Sequence, residues 1–192
     1  MNQTDAEKWD QIYRNCPETR SQAAQVLVEN LHLLPKTGTA LDAACGLGAN
    51  AIVLARKGLV THAWDISEEA LMHLGKSAVN ENLNLITAQR DIVSLPPAAD
   101  TFDVIVVSRF LDRSIIRHLI NALRRDGLIY YQTYIKDQRD AIGPNNPAYR
   151  LDVNELLRLF SALRLIFYRE EGMIGDLSTG FRNEAMLIAR KH

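Results

Sequence analysis

Residues 39–65 read TALDAACGLGANAIVLARKGLVTHAWD, and this stretch decides the fold. A short apolar run closes with Asp42. Residues 43–48, Ala-Ala-Cys-Gly-Leu-Gly, hold no large side chain except Leu47. Ala49 to Lys57 is helix-forming, and Gly58 is placed to stop that helix. Leu59 to Trp64 is a second apolar run, with Asp65 at its end. The unit is strand, small-residue turn, helix, strand, acid. In an open parallel sheet, ligands bind beyond the carboxyl ends of the strands, near the point where strand order reverses. Small residues let the backbone approach a ligand closely. A carboxylate ending the second strand suits the hydroxyl protons of a ribose. The expectation is a nucleoside-containing ligand.

Gly46 to Ala51 formally fits G-x-G-x-x-A, a pyrophosphate fingerprint. Asp42 opposes that reading, because an acid beside a pyrophosphate is repelled. The same acid suits a ligand carrying an ammonium and a sulfonium. The run LDAACGLGAN resembles the first motif of the class I S-adenosylmethionine-dependent methyltransferases, an acid, one residue, then G-x-G-x-G. It departs at Ala44, where the family most often has glycine. Alanine suits that position if the backbone does not need positive φ. The size of the chain and its run FRNEAMLIARK are most similar to the tellurite-resistance methyltransferases within that superfamily.

Composition bounds the alternatives. A chain of 192 residues is the length of one well-buried α/β domain. Its net charge of −1 lacks the basic excess of a nucleic-acid binder. Cys16 and Cys45 do not make a disulfide framework. The N-terminal stretch lacks a signal-peptide pattern, and no apolar run reaches the roughly 18 residues of a membrane span. A cytoplasmic protein that binds neither membrane nor nucleic acid is expected.

Within one domain of residues 1–192, three parts are expected. Residues 1–35 form an N-terminal helical cap. There Trp9, Ile12 and Tyr13 share one helical face that either packs on the domain or covers the cofactor. Ser21 is a candidate cap for the helix carrying Ala23 to Leu31. Residues 36–135 form the cofactor half. Ser67 is an N-cap followed by Glu68 and Glu69. Leu83 to Ala88 reads as a third strand with Asp91-Ile92 after it. Val104 to Val107 reads as a central strand covered on both faces, with Ser108-Arg109 at its end. Ile115 to Leu123 reads as a helix whose dipole Arg124 and Arg125 complement, with Gly127 in the turn beyond. Leu128 to Tyr134 reads as the fifth strand. Residues 136–192 form the substrate half. Its punctuated segment 141–149 reads as a mobile loop, and Asp152 with Glu155 as a capping box. Two further strands, Leu165 to Tyr168 and Ala185 to Ala189, should pair antiparallel. The fold expected is α/β, a Rossmann-like doubly wound sheet of about seven strands, mostly parallel, with an antiparallel C-terminal edge strand.

The resemblance implies S-adenosyl-L-methionine as cofactor and assigns positions to it. Ala44, Cys45, Gly46 and Gly48 supply close backbone contact to the methionyl part, and Asp42 partners its ammonium. Asp65 holds the ribose, with Ile66 against the adenine face. Asp91 and Ile92 read the adenine edge, and Ser108 sits near the sulfonium. The acceptor is a small molecule, with Arg109, Tyr134, Tyr149 and Arg182 as residues facing the methyl group. Arginines favour an oxyanion acceptor through forked hydrogen bonds. The His-Arg pair that the tellurite-resistance enzymes carry upstream of Arg182 is replaced here by Met173-Ile174-Gly175-Asp176. No zinc-ligand spacing and no hydrolase or P-loop motif is present. Two other readings stay open. One is an NAD(P)-binding oxidoreductase built on the G-x-G-x-x-A match. The other is a non-catalytic module that binds S-adenosylmethionine.

Overall fold

The structure is a computed structural model that describes residues 3–15 and 22–192. Cys16 and the Ser21 cap lie outside the described residues. Seven strands form one sheet: β1 Thr39–Ala43, β2 Val60–Asp65, β3 Leu85–Gln89, β4 Phe102–Ser108, β5 Leu123–Tyr134, β6 Arg164–Arg169 and β7 Glu184–Arg190. Their order is β3-β2-β1-β4-β5-β7-β6. The first five strands are mutually parallel. The antiparallel strand expected near the C-terminal edge is β7, which lies between β5 and β6 and runs against both. Strand order reverses between β1 and β4, so the carboxyl ends of those two strands open the crevice where such sheets bind ligands.

Alternation along each strand separates the two cores. Leu41, Ala43, Ile105, Val107, Ile129, Tyr131, Leu187 and Ala189 fall in one buried cluster. Ala40, Val104, Val106, Tyr130, Met186 and Ile188 fall in another. The first face is covered by α5, Ile116–Ala122, through Ile116 and Leu119, and by α6, Glu155–Leu159, through Leu156. The second is covered by α2, Gln25–Val28, through Val26 and Leu27, and by α3, Ala49–Arg56, through Leu54. Two-sided cover explains why β4 shows no polar alternation over residues 104–107.

Several boundaries differ from expectation. The α5 helix stops at Ala122, and β5 already begins at Leu123. Leu123 is buried and pairs with Phe102, before a register shift leads to Val104↔Leu128. Arg124 therefore complements no helix end; its guanidinium binds Asp103 at 2.8 Å. The α6 helix starts at Glu155 rather than beside Asp152, because Asn154 takes a left-handed φ of 59°. Half of the capping box survives: Asp152 N donates to Glu155 Oε2 at 2.8 Å, while the Asp152 side chain accepts from Lys136. The helix expected through Leu31 is only the one turn of α2 plus a 3-10 turn at Leu31–Leu33.

Candidate active site

The bend after β1 is built from left-handed backbone. Ala44, Gly46 and Gly48 have φ of 53°, 53° and 73°. The expectation that alanine suits position 44 without positive φ is thus corrected: Ala44 adopts the conformation that favours glycine, at a steric cost. A side chain at Gly46 or Gly48 would also press on a neighbour. A Cβ on Gly46 would stand 2.6 Å from the Tyr13 hydroxyl, and one on Gly48 would stand 2.4 Å from Leu74.

Gly48 is the N-cap of α3 and has no side chain to satisfy the first amides. Asp42, fully buried on β1, does so from outside the helix. Its Oδ2 accepts from Ala51 N at 2.9 Å and its Oδ1 from Asn50 Nδ2 at 3.3 Å. Burial pushes the Asp42 carboxyl up to about 8, against the opposing pull of these hydrogen bonds. Asp42 lies beneath the cavity and reaches it through Asn50, which lines it. Asn50 also donates to Ser108 Oγ at 3.0 Å and accepts from Ala24 N at 2.8 Å. It ties β1, β4 and the approach to α2 together. Sequence reading missed Asn50; its one signal was a polar residue in the first turn of an otherwise apolar helix.

Asp65 closes the other side of the bend. Its Oδ2 accepts from Gly46 N at 2.7 Å and its Oδ1 from Ser67 N at 2.9 Å. Burial raises its pKa, and these backbone hydrogen bonds oppose the rise. Ser67 caps α4, Glu68–Asn80, by accepting from Ala70 N, and donates to Asp10 Oδ1 at 2.6 Å. Asp10 belongs to α1, Gln3–Arg14. Arg14 binds Glu69 at 2.6 Å. These contacts seat α1 over α4, with Trp9, Ile12 and Tyr13 on the cavity wall and Trp9 stacked on Tyr13. The apolar face of α1 therefore covers the cavity.

One cavity of about 710 Å³ runs along this rim. It is lined by Ala44, Cys45, Gly46, Asp65, Ile66, Asp91, Ile92 and Ser108, the bend and strand-end positions expected there. Asp91 accepts from Val93 N at 3.0 Å and Ser94 Oγ at 2.6 Å, which fixes its carboxylate at the wall. Arg109, Tyr134, Gly143 and Tyr149 line the opposite end. Asp42 and Gly48 stand behind the lining. Arg182 is also outside it: its guanidinium donates to the carbonyls of Gly172, Ile174, Asp176 and Thr179 and shapes that connection. The 141–149 segment, expected to be mobile, is hydrogen-bonded to its surroundings. Arg150 donates to the carbonyls of Ile142 and Pro144, and Arg113 to that of Ala148. Among the described residues, no group of acids, histidines or cysteines could hold a metal, and no helix is long and apolar enough to cross a membrane.

Residues 40–127 match the family described as methyltransferase domain. That match runs from β1 into β5 and spans most of the rim just described, and a relative points the same way: the chain is 32% identical over 87 residues to the probable S-adenosyl-L-methionine-dependent methyltransferase TehB of Haemophilus influenzae. That segment covers 44% of this chain and 30% of the relative, so the chain matches under a third of the relative's length. The crystal structure of TehB from Haemophilus influenzae superposes with a TM-score of 0.71 at 22% identity, covering 96% of this chain and 67% of that one. A structure reported for the conversion of a disulfide bond into a thioacetal group during echinomycin biosynthesis gives 0.72 at 20% identity, covering 97% and 92%.

Proposed function

We propose that the chain transfers a methyl group from S-adenosylmethionine to a small-molecule acceptor. The observation that carries this reading is a single cavity with two chemically different ends. One end has the slim 44–48 bend between Asp65 and Asp91; the other has Arg109, Tyr134 and Tyr149. The residues present fit the cofactor. The bend carries glycine in the left-handed conformation at Gly46 and Gly48, a buried carboxylate ends β2, and Ile66 and Ile92 supply apolar wall.

When bound, the cofactor supplies a methyl group made electrophilic by its positive sulfur. The chain's own part is to bind, orient and exclude water, which accounts for large rate factors when reacting groups are held in line. Asp65 would accept from the ribose, Asp91 and Ile92 would hold the adenine edge, and Ser108 and the bend would flank the methionyl part. Arg109 offers a guanidinium and Tyr134 a hydroxyl to the acceptor. An oxyanion acceptor of the tellurite class agrees with Arg109. The replacement of the His-Arg pair at 173–176 and the placement of Arg182 leave Arg109 as the arginine at the acceptor end.

Calorimetric titration with S-adenosylmethionine, S-adenosylhomocysteine and NAD tests the cofactor assignment. Binding of the first two and not of NAD is expected; binding of NAD alone overturns it. Formation of S-adenosylhomocysteine with a panel of thiols, amines and oxyanions tests turnover. Binding without turnover on any member favours a non-catalytic module.

A further inference from the structure

Behind the acceptor end of the cavity lies a buried chain of hydrogen bonds. In the β5–β7 ladder Tyr134 pairs with Glu184 and Gln132 with Met186. Gln132, Tyr134 and Glu184 therefore share one face of the sheet. Gln132 and Glu184 are 3% and 6% exposed, and neither lines the cavity. Val26 N donates to Gln132 Oε1 at 2.8 Å. Gln132 Nε2 donates to Glu184 Oε2. Glu184 Oε1 accepts from Arg109 Nε at 2.9 Å. The Arg109 backbone N donates to Gln132 O at 2.8 Å. Arg109 is thus fixed twice, to β5 by its main chain and to β7 by its side chain.

We propose that Glu184, backed by Gln132, is a positioning residue that aims Arg109 into the acceptor end of the cavity; this rests on the function proposed above. A guanidinium is a planar fork of five donors. Holding it by Nε leaves the two terminal nitrogens, and among the described residues neither has a hydrogen-bond partner in the protein. The Arg109 side chain stays 53% exposed while Glu184 is buried behind it. Arg109 also takes a left-handed φ of 54°, a conformation costly for a long side chain and common where a site over-determines the backbone.

The network requires a carboxylate at 184. Its two oxygens each face a donor, Arg109 Nε on one side and the Gln132 amide on the other. A glutamine there has one oxygen and one NH2, so it satisfies one donor and confronts the other. Both Glu184 oxygens are engaged, which sets the residue up to orient Arg109 rather than to take a proton from an acceptor.

The test titrates S-adenosylhomocysteine, then sodium selenite as a probe oxyanion, into wild type, Glu184→Gln, Arg109→Lys and the double variant. S-adenosylhomocysteine affinity is expected to match in all four. Selenite affinity of the S-adenosylhomocysteine complex is expected to fall about tenfold in each single variant, the usual scale for losing an oriented charge-assisted contact. The double variant is expected to be no weaker than Arg109→Lys, because both changes remove one interaction. Glu184→Asp, which keeps both oxygens but shortens their reach, is expected to fall in the same direction and serves if Glu184→Gln does not fold. Selenite binding unchanged by either substitution at Glu184 overturns the proposal, as do losses that add in the double variant. If wild type holds S-adenosylhomocysteine but not selenite, the proposal falls and the cofactor reading stands. If it holds neither, the function proposed above falls as well.

Discussion

The Asp65 carboxylate at the end of β2 and the Gly46 amide in the bend after β1 are 2.7 Å apart. The second Asp65 oxygen holds Ser67 N at the start of α4. One side chain therefore fixes the bend and the next helix before any ligand contact is made.

Replacing Asp65 by alanine removes the proposed ribose contact and frees two buried amides. A hydrogen bond to a charged group contributes about 1.5–3 kcal/mol. Affinity for S-adenosylhomocysteine is expected to fall at least about tenfold in calorimetric titration. An unchanged dissociation constant in a folded Asp65→Ala protein contradicts the assignment.

Ala44 offers a test in the opposite direction. A left-handed alanine costs about 1–2 kcal/mol, and glycine gives back part of that in unfolded-state entropy. Ala44→Gly is expected to raise stability by about 0.5–1 kcal/mol in urea denaturation. A loss of stability would mean that the alanine methyl contributes packing exceeding the strain.

Asp42 makes stability depend on pH. Its carboxyl is raised by burial from 3.8 to about 8. A folded pKa above the unfolded one means the folded state binds the proton more tightly. The contribution is therefore full below the unfolded pKa and is lost as pH rises through about 8. Asn at position 42 does not titrate. Compared with Asp42→Asn, wild type is expected to lose stability progressively between pH 4 and 8, read from urea midpoints at stepped pH. Parallel profiles for the two proteins count against it.

Gly143 lies against Tyr134, where a Cβ would stand 2.6 Å from the ring, and its φ is +82°. Gly143→Ala is expected to cost about 1–3 kcal/mol through overpacking and strain. It is also expected to displace the Tyr134 ring. Turnover should fall while S-adenosylhomocysteine affinity holds. Equal loss of both would place the ring's influence on the cofactor end instead.

Much of this architecture is written in local pattern. The β1–bend–α3–β2 unit follows from residues 39–65 because small residues, a helical run and a terminal acid each constrain the backbone they occupy. Val104 to Val107 announces a strand buried on both faces for the same reason. What stayed illegible depends on partners distant in the chain. Arg124 stands where a helix-ending base would, yet Asp103 and the pairing of Leu123 with Phe102 draw it into β5. Asn50 and Glu184 look like ordinary polar residues until Ala24, Ser108, Arg109 and Gln132 surround them. Arg182 carries a suggestive motif, but the carbonyls of its own connection meet it first. The strain at Ala44 is invisible in sequence, since alanine is the residue least expected to advertise it.

The lane occupied by β7 has a consequence for biosynthesis. Of the seven strands it leaves the ribosome last, yet β5 and β6 flank it on either side. Until it arrives, those two neighbours present bare edges to other chains, the condition under which nascent chains recruit one another. Arg109 meets Glu184, the first residue of β7, only at that late stage. The rim from Ala44 to Asp91 is translated about a hundred residues earlier, so the two ends of one cavity mature on different clocks.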